Sequence, residues 1–313
     1  MRAAGTFLAI ALVGTTSPGA CTAVAGQPAS APDTILWSPD LCVPIELNGV
    51  TLRLAIDTTM PVGVTLNPDA ALRAGIKPGW IERMITVTLT MSTVDPTVRF
   101  SGRYHVQTAR IMDHRPERVA VAWNERTRVS STCDGNVSVW LIAAPRVALT
   151  QSAAPAPTRE VRIPMTAEDN RIQIYGSQLR VGAIPFDVRL DLTAPDTVVN
   201  APAARRLVRD GRLRLSGEVK MHLVRYGIKR PAERGQLNDF KPFGRDIPEV
   251  FAHGSSVEHT SHGPDEVAPV IVEGRPPKDA ARPALTLGYK ALARCRSLTF
   301  DRATHTITVA CAE

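Results

Sequence analysis

The groups best placed to do chemistry are two aspartates that recur in one local frame. Leu52-Arg53-Leu54-Ala55-Ile56-Asp57-Thr58-Thr59-Met60-Pro61-Val62-Gly63-Val64 aligns with Phe186-Asp187-Val188-Arg189-Leu190-Asp191-Leu192-Thr193-Ala194-Pro195-Asp196-Thr197-Val198 at an offset of 134 residues, with no gap. Aspartate, threonine, proline and valine recur at equal positions. The apolar residues ahead of each aspartate alternate with the period of a strand. A single such aspartate would read as a turn cap. Two in the same frame mark equivalent places in a duplicated unit, and carboxylates are groups that acid–base chemistry uses. At the same offset Pro68 meets Pro202 and Ala70 meets Ala204.

Two other constellations are weaker. The stretch Ala252 to Glu266 holds His253, His259 and His262 with Glu258, Asp265 and Glu266. These are ligand-type residues, but no helix or strand pattern fixes their orientation as metal ligation requires, so a solvated loop is expected and no metal. Gly254-Ser255-Ser256 lies near His253 but lacks the G-x-S-x-G elbow that exposes a nucleophilic serine. No glycine-rich phosphate loop is present, and no cofactor is expected.

The elements around the aspartates follow from local signals. Each copy reads as strand, aspartate turn, strand and short helix. Asn67 is an N-cap, Pro68 suits the first helical position and Gly75 ends the run. In the second copy Asn200 and Pro202 open a helix through Ala203 to Val208, ended by Gly211. Two such units imply two similar lobes. The expected layout is a leader over 1–25, a first lobe over 26–149, a linker over 150–158 and a second lobe over 159–313. The Pro- and Ser-rich run Thr150 to Pro157 marks the linker. A stretch over about 230–283, rich in Pro, Gly, Arg, Asp and His and without periodicity, reads as a long surface-loop insertion in the second lobe.

Composition agrees with a β-rich globular chain. The protein has 313 residues, 44% hydrophobic and 21% charged, with a mean hydropathy of -0.05. This balance excludes a mostly disordered chain and a multi-span membrane protein. With 25 prolines and only 5% aromatics, a helical bundle is disfavoured. The formal charge is +7, and only six of the 37 basic residues are lysine. The arginines are scattered, as in Arg205-Arg206-Leu207-Val208-Arg209, without an aromatic platform, so nucleic acid is not an expected partner. Trp37, Trp80, Trp123 and Trp140 read as packing residues.

The first 25 residues resemble a secretory leader: Arg2, an apolar run from Phe7 to Val13, and Ala23-Val24-Ala25 as cleavage site. The alternative is a lipoprotein leader with Cys21 as the lipidated residue, the one route by which membrane attachment is expected. Export therefore leaves a periplasmic, secreted or lipid-anchored protein, taken as a monomer. Cleavage after Ala25 leaves Cys42, Cys133, Cys295 and Cys311, an even number that suggests two disulfides. Ser297 to Phe300 and Thr306 to Val309 form a hairpin pattern centred at Ala303, eight residues from each flanking cysteine. This places Cys295 opposite Cys311 and leaves Cys42 with Cys133. Two to four free thiols are the alternative.

The sequence resembles the retropepsin-like and pepsin-like aspartic peptidases. Cys42-Val43-Pro44-Ile45-Glu46-Leu47-Asn48-Gly49 is similar to the family's opening strand and turn. Leu54-Ala55-Ile56-Asp57-Thr58-Thr59 is similar to its Asp-Thr-Gly loop, and Asn67 to Ile76 to the helix that follows. Leu285-Thr286-Leu287-Gly288-Tyr289-Lys290-Ala291-Leu292 and Leu298-Thr299-Phe300-Asp301 resemble its closing strands, with Asp134-Gly135 as the weaker counterpart in the first half. The resemblance implies a mostly β fold of two closed, barrel-like lobes with a cleft between them. It implies an Asp57/Asp191 dyad, in which one ionised carboxylate takes a proton from water and the other polarises the scissile carbonyl. A polypeptide substrate or peptide ligand follows. The sequence departs from the family where Thr59 and Thr193 replace glycine and Leu192 replaces a hydroxyl residue. Ile85 to Phe100, where a flap hairpin belongs, has no glycine and no tyrosine. The expected function is thus an endopeptidase or, alternatively, an inactive relative that binds a peptide or an exported protein.

Overall fold

The computed structural model describes residues 33–38, 40–60, 63–76, 87–90, 99–112, 114–167, 174–181, 184–225, 228–244, 246–247, 249–253 and 283–312. The leader with Cys21, Trp80 and the acidic-histidine stretch beyond His253 lie outside them. The first half carries β1 (Asp33–Leu36), β2 (Cys42–Leu47), β3 (Val50–Asp57), β4 (Val64–Leu66), α1 (Pro68–Arg73), β5 (Val87–Thr90), β6 (Arg99–Ile111), β7 (Glu117–Trp123), β8 (Gly135–Ser138) and β9 (Arg146–Thr150). The second carries β10 (Arg159–Ala167), β11 (Ile174–Val181), β12 (Ile184–Asp191), β13 (Val198–Val199), α2 (Ala201–Arg209), β14 (Leu213–Arg225), β15 (Ile228–Leu237), β16 (Val250–His253), β17 (Ala284–Gly288), β18 (Cys295–Asp301) and β19 (Thr306–Cys311). The protein is mostly β, as expected.

A strand with one face on a core buries every second side chain. In β3 this puts Leu52, Leu54 and Ile56 inside, and in β19 Ile307, Val309 and Cys311. Asn48 and Gly49, both at positive φ, close the β2–β3 hairpin with Leu47 opposite Val50. Strands β2, β3, β8, β4, β7 and β6 follow one another around a barrel, closed where β6 pairs with β2 at Ile45 and Ile111. Strand β5 lengthens β6 into a hairpin, with Val87 opposite Gly102, at the place expected for a flap.

The remaining strands form one sheet of twelve, in the order β1, β9, β18, β19, β10, β11, β12, β17, β13, β16, β15, β14. Part of it repeats the barrel's connectivity. In both halves the strand before the aspartate pairs parallel with a late strand (β3 with β8, β12 with β17). That late strand pairs antiparallel with the strand after the aspartate (β4, β13), which pairs parallel with a fourth (β7, β16). The first copy closes; the second runs into a sheet shared with β1 and β9 of the first half.

Four sequence expectations are revised. The ungapped offset does not persist: β4 and β13 are equivalent with Leu66 matching Val199, because Leu66 pairs with Gly135 and Val199 with Leu285. The second aspartate loop is one residue shorter, so Asn67 matches Asn200 and Pro68 matches Ala201. In consequence, Ser138 rather than Gly135 is the counterpart of Gly288, since these two stand opposite Asp57 and Asp191. The connection between β9 and β10 is a pinned turn inside one sheet, not a free tether: Ala154 is buried and its carbonyl accepts from Arg296 Nη1 at 3.0 Å. The expected loop over 230–283 contains most of β15 and all of β16. Pro231, Gly235 and the polar outer face of an edge hairpin hide the strand period in β15, while β16 is a four-residue run buried on both faces.

Both expected disulfides form, Cys42–Cys133 and Cys295–Cys311. Their sequence separations of 91 and 16 correspond to about 4.5 and about 3 kcal/mol of denatured-state entropy removed. Arg302, in the β18–β19 turn, donates from Nη2 to Trp140 O at 2.6 Å and Ile142 O at 2.7 Å, fastening the shared sheet to the first half. No helix among the described residues is long and apolar enough to cross a membrane.

Candidate active site

Asp57 and Asp191 are the last residues of β3 and β12, and both are buried. Each loop that follows is straddled by one strand. Strand β8 lies between β3 and β4, and β17 between β12 and β13, so both ends of each loop are paired to the same neighbour. This fixes both ends of the loop that carries the carboxylate.

The two carboxylates are held alike. Asp57 Oδ1 accepts from Thr59 N at 2.8 Å, Thr59 Oγ1 at 2.9 Å and Met60 N at 2.9 Å. Asp191 Oδ1 accepts from Thr193 N at 2.8 Å, Thr193 Oγ1 at 2.7 Å and Ala194 N at 3.1 Å. The threonine in place of glycine thus keeps the main-chain donor and adds a hydroxyl. Three donors on one oxygen lock the plane of the carboxylate. The threonine side chain is turned onto the aspartate in both loops.

The two loops also touch. Thr58 Oγ1 donates to Leu190 O, the carbonyl just before Asp191. Thr58 is buried, so the bond is shielded from water. The reciprocal position is Leu192, buried and without a hydroxyl, so the donor expected from the second loop is absent. The structure therefore brings Asp57, Thr58, Thr59, Asp191, Leu192 and Thr193 into two adjoining loops, whereas the four cysteines serve as staples elsewhere.

Several supporting residues escaped the sequence reading. Ser138 Oγ donates to Met60 O at 2.8 Å, and Ser138 N donates to Gly63 O at 3.1 Å, which secures the first loop. At Gly288 the main chain does this work. Tyr289 N donates to Ala194 O at 2.9 Å and Lys290 N to Pro195 O at 3.1 Å. A Cβ on Gly288 would lie 2.6 Å from Asp196 N, which only glycine avoids. What the two places share is a short, fully buried strand running into a one-turn 3-10 segment, Val139–Leu141 and Tyr289–Leu292. Asn67 sits at the N-cap of α1 but spends its amide elsewhere: Nδ2 donates to Ser130 O and Cys133 O, and Oδ1 accepts from Val129 N and Ser130 N. Asn200 does cap α2, accepting from Ala203 N at 3.0 Å.

Asp196 ends the second loop between Lys290 and the imidazole of His222. Lys290 Nζ donates to its Oδ1 at 2.8 Å, and His222 Nε2 stands 3.4 Å from its Oδ2. This bond raises the Lys290 pKa, while burial lowers that of His222. A cavity of about 240 Å³ borders Pro195, Asp196 and Thr197, with Phe243, Ile247 and Lys290 across from them. Among the described residues no three His, Cys, Asp or Glu converge as metal ligands.

No family model matches the chain, and no curated protein matches it. Among solved structures it is similar to an aspartic proteinase from Irpex lacteus, at 10% identity and a TM-score of 0.42, over 87% of this chain and 94% of that one.

Proposed function

We propose that this is an exported hydrolase of the aspartic-peptidase type, in which Asp57 and Asp191 activate water to cleave a peptide bond. One observation carries the reading: two buried aspartates, each held by the same three donors, sit in loops joined by the Thr58–Leu190 hydrogen bond. The reading assigns one carboxylate the part of general base and the other the part of general acid. The ionised member takes the proton of the attacking water while the protonated member donates to the carbonyl oxygen, and the roles reverse as the amine leaves. The Thr59 and Thr193 hydroxyls orient each carboxylate throughout. The substrate is a polypeptide that reaches the loops in extended form. Two disulfides suit an oxidising compartment and support export.

A second reading, a peptide-binding protein without catalysis, draws on Leu192, which leaves the bridge between the loops one-sided. The test is cleavage of a diverse peptide mixture from pH 3 to 7, read by mass spectrometry beside Asp57→Asn and Asp191→Asn. The expected result is cleavage by the parent and a loss of about 10²–10⁴-fold in each variant. Cleavage that survives both substitutions sinks the dyad. No cleavage at any pH, with saturable peptide binding, selects the second reading.

A further inference from the structure

Behind the Asp191 loop lies a row of ionisable side chains that the chemistry above does not use. His222 on β14 and His253 on β16 are both at least nine-tenths buried, at 5% and 2% exposure. His222 Nδ1 stands 3.4 Å from His253 Nε2, and its Nε2 faces Asp196 at the same distance. The His222 ring also stacks on Phe251, with centroids 4.6 Å apart. Asp196 passes over Gly288, the residue opposite Asp191, so closely that a Cβ there would lie 2.6 Å from Asp196 N. The row thus links the outer hairpin β14–β15 to the loop that positions the second aspartate.

We infer that Asp196, His222 and His253 form an acid-sensitive latch that positions the Asp191 loop. With both rings neutral, one tautomer lets His253 Nε2–H donate to His222 Nδ1, while His222 Nε2 is buried 3.4 Å from Asp196 Oδ2 without a hydrogen bond of good geometry, and Lys290 holds the other oxygen of that carboxylate. One further proton makes His222 cationic and turns His253 into an acceptor. A second proton puts two imidazolium rings side by side in a buried site, where neither charge is hydrated, and the row must open. The surrounding charges set the balance. Asp196 favours protonation, while Lys290 from the turn after β17 opposes it. Arg230 stands opposite His222 in the β14–β15 register, Glu233 lies on β15, and Glu249 precedes β16. Burial outweighs the carboxylate, and His222 is held below the ordinary histidine range.

The sign of the linkage follows. The unfolded chain binds a proton at His222 near pH 6.5, whereas the folded chain binds it only at lower pH. Stability therefore falls as pH drops from about 6.5 toward the folded value and is unaffected by this group below it. The bearing of the latch on catalysis rests on the peptidase reading, but its existence does not.

The test is thermal unfolding of the purified protein from pH 4 to 8 beside His222→Gln and His253→Gln. It is combined with amide hydrogen exchange over 191–198 and an NMR titration of the imidazoles. The parent should lose stability on acidification through pH 6, with a flatter curve in His222→Gln. Loop exchange, corrected for its intrinsic rate, should rise about tenfold from pH 7 to pH 5 in the parent alone. Equal slopes in parent and variant, or a His222 that titrates near 6.5 in the folded protein, overturn the latch. If either variant fails to fold, the imidazole titration of the parent decides. Absent peptide cleavage sinks the peptidase reading and leaves these signals intact, so the two failures are distinguishable.

Discussion

The two aspartate loops solve one problem with different parts. Both end a strand, both are straddled by a parallel neighbour, and both give their carboxylate the same three donors. The first loop is fastened by side chains: Ser138 holds Met60, and Thr58 reaches across to the second. The second is fastened by backbone, through the close pass over Gly288, and by the Asp196 row at its far end. It is also one residue shorter. What is conserved within the molecule is thus the placement of the carboxylate, not the residues that secure it. Strand order fixes the loop ends, and several side-chain solutions then satisfy the same backbone. Closure differs for a similar reason. The first copy seals itself through β2 and β6, while the second continues into strands β1 and β9 that the first half supplies.

The largest effect tests the close approach of backbone in each half. A Cβ at Gly135 would fall on Thr65 O and lie 2.9 Å from Leu66 Cα, and one at Gly288 would meet the main chain of Asp196. Gly135→Ala and Gly288→Ala should each cost about 3 kcal/mol or more, read as a lowered midpoint in denaturant. Ser138→Gly, by contrast, should fold. If Gly288→Ala is neutral, the two halves are not fastened as described.

A middle-sized effect tests the bridge. Thr58→Val leaves the buried Leu190 carbonyl without that donor and should cost about 1–3 kcal/mol, a few degrees in Tm. Leu192→Val keeps an apolar side chain where no bridge exists and should cost about 1 kcal/mol. Equal losses would mean the bridge is not the asymmetry that matters.

The smallest effect sharpens the likeness. Thr59→Gly and Thr193→Gly each remove one hydroxyl hydrogen bond but keep the main-chain donor, for a change of about 1 kcal/mol. Because the carboxylates are held alike, the two losses should agree within error in thermal unfolding. A difference between them would show that the shared donor set hides unlike surroundings.

Much of this architecture was legible in residues. The aspartate pair announced itself because a duplicated segment keeps its turn residues, and strand alternation in β3 and β12 is a local signal. The cysteine pairing was read from hairpin symmetry about Ala303; Cys295 does stand opposite Cys311, but the strands pair Asp301 with Thr306, half a residue off that centre, and a register shift between Cys295 and Ser297 brings the cysteines together. Where the reading failed, local pattern was either absent or ambiguous. The one-residue slip between Met60 and Leu66 is silent in sequence, because Pro68 over Pro202 aligns as well as Asn67 over Asn200. Strand β15 fails the alternation test because its buried positions include Glu233 and Gly235 as well as Leu237, so burial there does not follow an apolar pattern.

By itself, then, the sequence pointed to two like aspartate frames, the strands that lead into Asp57 and Asp191, the helix starts at Asn67 and Asn200 and a pairing of the four cysteines that the structure bears out. Each of these depends on spacing within one segment or on comparing two copies. Only the tertiary structure decided that Ser138 answers to Gly288, that Thr58 bridges the loops and that His222 and His253 stand in line with Asp196. The Thr58–Leu190 contact joins residues 132 positions apart in the two halves. Their geometry comes from strand order, which brings together side chains whose types carry no sign of the partner they will meet.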